Sequence, residues 1–263
     1  SKLLHTGEAG IQIIADATDP NTAKTFTQYA ASIIAASQQE LTLGNNIPMH
    51  ITSSIKLLYN PQMKSAYNFV PGVMGLILML ICAMMTSISI VREKEMGTME
   101  VLLVSPMRPI FIILAKAVPY FVLSCVNLFT ILILSVYVLH VPIAGSLFWL
   151  IIVSLLFIFV SLSLGLLIST LTKTQVAAML ASGMILMMPT MLLSGMIFPI
   201  ESMPPILQWI SHIIPAKWYI MTVKKLMIEG VNVSLAWQEI SILMFMSIIL
   251  ITISLKKFKN RLE

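Results

Sequence analysis

Residues 147–171 read LFWLIIVSLLFIFVSLSLGLLISTL, a run of 25 residues that contains no charged side chain. A helix of about 20 residues is long enough to cross the ~30 Å hydrocarbon core of a bilayer. A water-soluble chain must cover its surface with polar groups, and this stretch offers few of them. The stretch therefore predicts a transmembrane helix.

Similar stretches lie on both sides of it, and the composition of the chain agrees with them. Hydrophobic residues make up 58% of the 263 residues and charged residues only 10%, whereas a soluble domain carries about a quarter charged residues. We therefore predict an all-α polytopic membrane bundle with five spans, at approximately 70–91, 117–139, 147–171, 176–198 and 236–255. Pro189 interrupts the fourth span, which predicts a kink.

The stretch 199–235 is apolar but too broken by prolines to cross the bilayer. It predicts two short helices, about 206–214 and 216–229, that dip into one leaflet. Trp209 and Trp218 suit such an interfacial position.

Residues 1–69 predict a small external α/β domain ahead of the first span. Apolar positions alternate near 11–15 and again near 51–59, as in strands. Between them the Asp19-Pro20-Asn21 turn begins a helix-like pattern that ends at Gly44.

Orientation follows from the basic residues near the spans. Nine Lys and Arg lie on the side of the C-terminal tail and five on the other side, which places the tail in the cytoplasm and residues 1–69 outside. The chain starts at Ser1 with no apolar segment to carry residues 1–69 across. We therefore expect the intact protein to have a sixth span ahead of them.

The loop after the first span carries the most specific pattern, REKEMGTMEVLLVSP at residues 92–106. Gly97-Thr98 is a helix start, and Pro106 ends that helix after about two turns. Met99, Leu102 and Leu103 share one face of it, and Glu100 in its first turn suits the helix dipole. A plain charged loop is the alternative, but two of the four charges in the flanking Arg92–Glu95 run are acidic, which the positive-inside bias does not require. The pattern favours a helix that docks into a cleft of another protein.

This string resembles the coupling-helix signature of ABC type-2 permeases, the membrane subunits of type V ABC exporters. Tyr59-Asn60-Pro61 with Val70-Pro71-Gly72, and the run Ser194-Gly195 to Pro204, resemble other parts of the same family. The resemblance covers nearly the whole chain. It implies that residues 70–263 form the transmembrane permease domain and that residues 1–69 form the external domain of the family. One departure is Lys224, where family members often have Arg.

The resemblance implies that a separate ATP-binding subunit binds ATP and Mg²⁺ and docks on the helix at about 93–106. This chain has no G-x-x-x-x-G-K-[ST] loop and no cofactor of its own is expected, so it is not the ATPase. The implied coupling residues are Glu93, Glu95, Gly97, Thr98, Met99, Glu100, Leu102, Leu103 and Pro106. Re-entrant external helices at about 199–231 are implied to depend on Pro199, Glu201, Pro204, Pro215, Lys224 and Gly230.

Other side chains favour ordinary roles. The methionines of the fourth span are interpreted mainly as packing filler, with an adaptable wall for apolar cargo as the minor alternative. His140 and His212 are expected to be isolated on external loops. No catalytic set or metal cluster is apparent in the spans, which counts against a membrane-embedded enzyme.

The sequence thus predicts the permease subunit of an ATP-driven exporter in a bacterial inner membrane, moving a hydrophobic or amphiphilic substrate outward. Its expected partners are the ATP-binding subunit, a second permease copy or homologue, the bilayer and a periplasmic adaptor. Nucleic acid is not expected, because no basic stripe lies on a soluble face. The alternative is a membrane scaffold or assembly factor without a transport path, and the substrate stays open.

Overall fold

The computed structural model describes residues 20–44, 64–98 and 109–259. The chain divides into two units, Ser1–Ser65 and Ala66–Glu263. Each unit is described by itself below.

The described part of the first unit is one helix, α1, Pro20–Gly44. It confirms the helix predicted from the turn at Asp19-Pro20-Asn21 to Gly44. The two strands predicted near 11–15 and 51–59 lie outside the described residues. No strand occurs in the described residues of this unit, so the expected α/β domain gains no support.

The second unit is helical throughout its regular elements. These are α2 (Ala66–Glu95), α3 (Pro109–Tyr137), α4 (Leu147–Leu171), α5 (Gln175–Ser182), α6 (Met188–Leu193), α7 (Pro205–Ser211), α8 (Pro215–Lys224) and α9 (Trp237–Lys259). Five of its segments are long and apolar enough to cross a membrane: Ala66–Glu95, Ala115–Tyr137, Leu147–Leu171, Gln175–Leu193 and Trp237–Ser254. The predicted all-α bundle with five spans is confirmed.

Helices α2 and α4 form the centre of the bundle. In their most apolar windows 50% and 61% of the residues are buried, against 17% for the span in α3. The two central helices approach closely at Gly165, where an added Cβ would lie 2.4 Å from the carbonyl oxygen of Ala83. Small residues permit such close packing between membrane helices. Helix α9 joins the same core, where Ser254 donates a hydrogen bond to the carbonyl oxygen of Ser163.

The fourth span becomes irregular just before Pro189. Its two α-helical parts, α5 and α6, are joined by a π-helical turn at Gly183–Met187. Pro189 is the second residue after this turn and has no N–H to donate to the preceding helical turn, and the kink stays a prediction. The span ends at Leu193 rather than near 198, because the chain turns at Gly195 with a positive φ of 78°.

The proline-rich segment forms the two short helices predicted for it, α7 and α8. A second π-helical turn, Lys225–Glu229, extends α8 and ends at Gly230, which has a φ of 63°. The loop between α3 and α4 packs against this turn, and the N–H of Ala144 donates to the carbonyl oxygen of Met227 at 2.9 Å. An added Cβ at Gly145 would lie 2.3 Å from the carbonyl oxygen of Leu226, so the two backbones are in direct contact.

Candidate functional site

The C-terminal end of α2 meets three other helices at one end of the bundle, here called the motif end (residues 92–98, 109–116 and 169–175). Three consecutive side chains each reach a different helix. Glu93 forms an ion pair with Lys116 of α3. The ammonium group of Lys94 donates a hydrogen bond to the backbone carbonyl of Ser169 in α4.

The third side chain, Glu95, binds the start of α5. Its Oε2 accepts hydrogen bonds from the backbone N–H of Gln175, at 3.0 Å, and from Nε2 of the same residue, at 3.1 Å. The hydroxyl of Thr174 accepts from the N–H of Ala177 at 3.2 Å. The carboxylate and the hydroxyl together satisfy N–H groups that have no partner inside the helix, and negative charge is favourable at that end.

Helix geometry explains why adjacent residues reach separate neighbours. Successive residues of an α-helix are rotated by about 100° around its axis, so three in a row point over about 200°. Because α2 is central, each of these directions faces another helix. The charged string therefore connects α2 with α3, α4 and α5 at one level.

Gly97 ends α2 in a left-handed conformation. Its φ is 72°, its N–H donates to the carbonyl of Lys94, and among the described residues no atom lies within 4 Å of an added Cβ. The glycine is therefore required by the backbone conformation and not by lack of space. Thr98 is again helical, and its hydroxyl donates to the carbonyl of Glu93 at 3.3 Å.

The predicted coupling residues thus fall into two groups. Glu93 and Glu95 bind spans of this chain, and Gly97 and Thr98 shape the turn that follows α2. The remaining five lie outside the described residues: Met99, Glu100, Leu102, Leu103 and Pro106.

The opposite end of the bundle, here called the hairpin end (residues 138–146 and 194–236), contains the second predicted group. Prolines begin its helices: Pro199 and Pro204 precede the 3₁₀ turn at Ile200–Ser202 and helix α7, and Pro215 is the first residue of α8. Glu201 lies in the 3₁₀ turn and is exposed. Gly230 closes the segment.

Side chains fasten this segment to the spans. Lys224 donates to the carbonyl oxygen of Gly195 at 3.0 Å, and Asn68 of α2 donates to that of Met196 at 3.4 Å. Lys225 pairs with Glu239 at 2.6 Å, which joins the π-helical turn to the start of α9. Glu239 was missed in the sequence, although an acid at the edge of an apolar run was the available signal.

A second missed cluster lies between α7 and α8. Lys217 is only 4% exposed, and its ammonium donates to the hydroxyl of Ser211 at 3.0 Å. The His212 ring lies 3.3 Å from the same ammonium and 2.6 Å from the carbonyl of Gln208. The prediction that His212 is isolated is therefore wrong. No sequence signal marks these contacts, because they depend on how the two short helices fold together.

The electrostatics of this cluster follow from its geometry. A carbonyl can only accept, so the contact with Gln208 places a proton on Nδ1 of His212, and the Lys217 ammonium lies 3.3 Å from both ring nitrogens. Burial lowers the pKa of Lys217, and the charge of Glu201 partly opposes that shift. Lys217 also lies 5.1 Å from the ring centroid of Trp218.

Several methionines of the fourth span are at the surface. Met179, Met184, Met187 and Met188 are exposed by 43% to 69%. The interpretation as packing filler is wrong for these four within this chain. In the ranges that the structure describes, no three His, Cys, Asp or Glu side chains are grouped as a metal site.

Comparison with known proteins identifies the family. The family model described as ABC-2 family transporter protein matches residues 2–256. The chain belongs to the ABC-2 transporter family. The resemblance based on residues 92–106 is therefore confirmed. Membership and the five candidate spans make the chain a multi-pass membrane subunit of an ABC transporter.

Three relatives from Escherichia coli K12 illustrate the ABC-2 match. The probable multidrug ABC transporter permease YbhS is 33% identical over 257 residues, which is 97% of this chain and 68% of YbhS. The probable multidrug ABC transporter permease YbhR is 30% identical over 232 residues, which is 88% of this chain and 63% of YbhR. The inner membrane transport permease YhhJ is 27% identical over 95% of this chain and 67% of YhhJ. The chain spans about two thirds of the length of these relatives, and no solved structure matches it.

Proposed function

We propose that this ABC-2 chain is the permease subunit of an ATP-driven exporter that moves a hydrophobic or amphiphilic molecule outward. A separate subunit binds and hydrolyses ATP with Mg²⁺. The observation that carries the proposal is the set of contacts made by Glu93, Lys94 and Glu95, which connects the start of the 92–106 motif to α3, α4 and α5. A segment that transmits the movement of a partner subunit needs such contacts with the spans.

The docking surface begins directly after these contacts. The side chain of Met96 is 63% exposed, and Gly97 turns the chain away from the axis of α2. An exposed apolar side chain beside a fixed turn suits insertion into a cleft of an ATP-binding subunit. The residues from 99 to 106, to which the rest of the docking role is assigned, lie outside the described residues.

The distribution of charge supports an orientation. Loops 92–116 and 172–175 and the C-terminal tail carry nine of the fourteen basic residues counted near the spans, so we place this end of the bundle on the cytoplasmic side of a bacterial inner membrane. The hairpin end and residues 1–69 then lie outside, where an adaptor protein has access to them. The short helices α7 and α8 are the re-entrant external helices of this arrangement.

The cargo class follows from the exposed methionines of the fourth span. Flexible thioether side chains adapt to ligands of different shape, and they are frequent at promiscuous binding surfaces. We place this face along the substrate path, between two permease copies or between this chain and a homologue. The name of YbhS as a probable multidrug permease agrees with an apolar or amphiphilic cargo.

The proposal is tested by purifying the tagged full-length protein from membranes together with its genomic neighbours. We expect an ATP-binding subunit to co-purify and to hydrolyse ATP in a vanadate-sensitive manner after reconstitution into lipid vesicles. Inverted vesicles should then accumulate an amphiphilic dye such as ethidium when ATP is added. A protein that binds no ATPase under these conditions would be the scaffold considered as the alternative, and the proposal would be wrong.

A further inference from the structure

The structure points to Glu95 as the positioning residue through which the docking segment moves the cytoplasmic half of the fourth span. This inference rests on the proposed function, since it names the contact that transmits the ATPase movement. Of the three contacts of the motif end, the contact of Glu95 is the one that reaches α5. This helix ends at a π-helical turn, which gives it a place to bend.

Among the described residues, the polar contacts that tie α5 to another helix come from α2. Glu95 binds the first residue of α5, Gln175, through two hydrogen bonds. The hydroxyls of Ser87 and Ser182 are 2.9 Å apart and buried at the other end of α5. A displacement of the end of α2 is therefore passed to α5 at both of its ends.

The external half of the span is held by different groups. The hydroxyl of Thr190 in α6 lies 3.9 Å from the sulfur of Met79. Beyond α6, the carbonyls of Gly195 and Met196 accept hydrogen bonds from Lys224 and Asn68. Met79 and Asn68 belong to α2 as well, nearer to its start, so α2 contacts both halves of the span, and Lys224 adds a contact with the hairpin end for the external half.

The π-helical turn Gly183–Met187 lies between these two fixed parts. An added Cβ at Gly183 would meet no atom within 4 Å, and the Met184 and Met187 side chains are exposed. A π-helical turn departs from the i→i−4 hydrogen-bond pattern of an α-helix, and such turns are frequent at functional sites. The turn is a joint about which α5 can tilt against α6.

The other two contacts lead to helices without such a joint. Lys94 reaches α4, which is the most buried helix of the bundle and packs along α2. Glu93 reaches α3, which runs from Pro109 to Tyr137 with Pro119 inside it and contains no π-helical turn. Glu95 differs from both in that it contacts a short helix of eight residues that ends at a π-helical turn.

The consequence for transport concerns the exposed methionines. Met179 lies on α5, and Met184 and Met187 lie in the turn itself. Tilting of α5 therefore changes the shape of the face that we assign to the cargo. Glu95 would in this way couple nucleotide state to the width of the substrate path.

Gln175→Pro is the sharpest test, because it removes both donors to Glu95 at once. Proline is well tolerated at the first position of a helix, and Thr174 before it has a ψ of 152°, which a following proline accepts. Glu95→Ala removes the acceptor from the other side. Glu95→Gln keeps an oxygen that accepts more weakly, and Lys173→Ala is the matched control in the same loop.

The measurement is a distance between spin labels in the full-length protein, assembled with its ATPase in lipid. Labels are placed at V176C on α5 and F245C on α9, both 65% exposed, with Cys82 and Cys125 replaced by alanine. We expect the distance to change between the nucleotide-free and vanadate-trapped states in the parent and in Lys173→Ala. The change should be lost in Glu95→Ala and Gln175→Pro and be partly retained in Glu95→Gln.

The outcomes separate the two proposals. If the complex assembles and hydrolyses ATP but Glu95→Ala and Gln175→Pro show the parental distance change, or the parent shows none, the role of Glu95 is refuted. If no ATPase assembles with the parent, the proposed function fails first. Parental hydrolysis by the variants together with a lost distance change supports the inference, because a merely misfolded protein would lose both.

Discussion

The ammonium group of Lys224 donates a hydrogen bond to the backbone carbonyl of Gly195, 3.0 Å away. This contact joins the second short helix to the turn that ends the fourth span. It bridges 29 residues of sequence across the most proline-rich part of the chain. Stability of the hairpin end should therefore depend on the cation at this position.

Replacement of Lys224 by methionine should lower stability by about 1–3 kcal/mol, because the carbonyl of Gly195 is left without its charged donor. Lys224→Arg retains a cation and five donors, so it should lose much less. The thermal unfolding midpoint of the detergent-purified protein measures both changes. Equal loss in the two variants would show that the hydrogen bond contributes nothing.

If Glu93 and Lys116 form an ion pair, exchanging their charges should restore the stability that each single charge reversal removes. Glu93→Lys and Lys116→Glu should each place like charges together and lower the unfolding midpoint. The double variant should regain most of that loss, with a coupling energy of about 0.5–1 kcal/mol for a partly exposed pair. Strictly additive losses in this double-mutant cycle would contradict the contact.

Coupling to the ATPase should depend on the left-handed backbone conformation of Gly97. Gly97→Val must adopt a φ of 72°, which costs about 1–3 kcal/mol for a β-branched residue. We expect this variant to lose substrate-stimulated ATPase activity of the assembled complex. Gly97→Asn should keep most of it, since asparagine tolerates the left-handed region. Normal stimulation in Gly97→Val would show that the turn has no part in coupling.

Two glycines offer a matched pair of alanine substitutions. At Gly145 the new Cβ would lie 2.3 Å from the carbonyl oxygen of Leu226, so two backbone segments must separate. At Gly183 there is open space and a helical φ of −60°, so alanine should be neutral or stabilise by about 0.5–1 kcal/mol. The unfolding midpoint should fall clearly in Gly145→Ala alone. The reverse order would contradict the packing of the hairpin end.

The contribution of Lys217 to the stability of the folded protein should depend on pH. Its folded-state pKa is lowered from 10.5, so the folded protein holds its proton less firmly than the unfolded chain does. Burial of the charge therefore costs stability below the folded pKa, and this cost disappears as the pH rises toward 10.5. Lys217→Met should raise the unfolding midpoint at pH 7 and lose that advantage as the pH approaches 10. A gain that is independent of pH would point to packing instead of charge.

The spans were predictable because each depends on one local property. The run from Leu147 to Leu171 must be a membrane helix in any arrangement, since no charged residue interrupts it. The start of α8 at Pro215 was equally local, because proline fits the first turn of a helix and not its interior.

The contacts between helices could not be predicted in the same way. Glu95 and Gln175 are 80 residues apart, and Lys94 and Ser169 are 75 apart. Their pairing depends on which faces of α2, α4 and α5 meet, and apolar spans of similar composition do not specify that. The exposed methionines were missed for this reason as well, since a thioether suits a core and a surface equally.

The three adjacent contacts of α2 also constrain how this protein can change over evolutionary time. Loss or gain of a single residue within α2 would rotate Glu93, Lys94 and Glu95 by about 100° and move all three away from their partners together. Substitutions at these positions alter one contact each, whereas an insertion or deletion upstream breaks the set. An insertion or deletion of one residue between the core residues of α2 and Gly97 should therefore cost more than the loss of any one charge in the set.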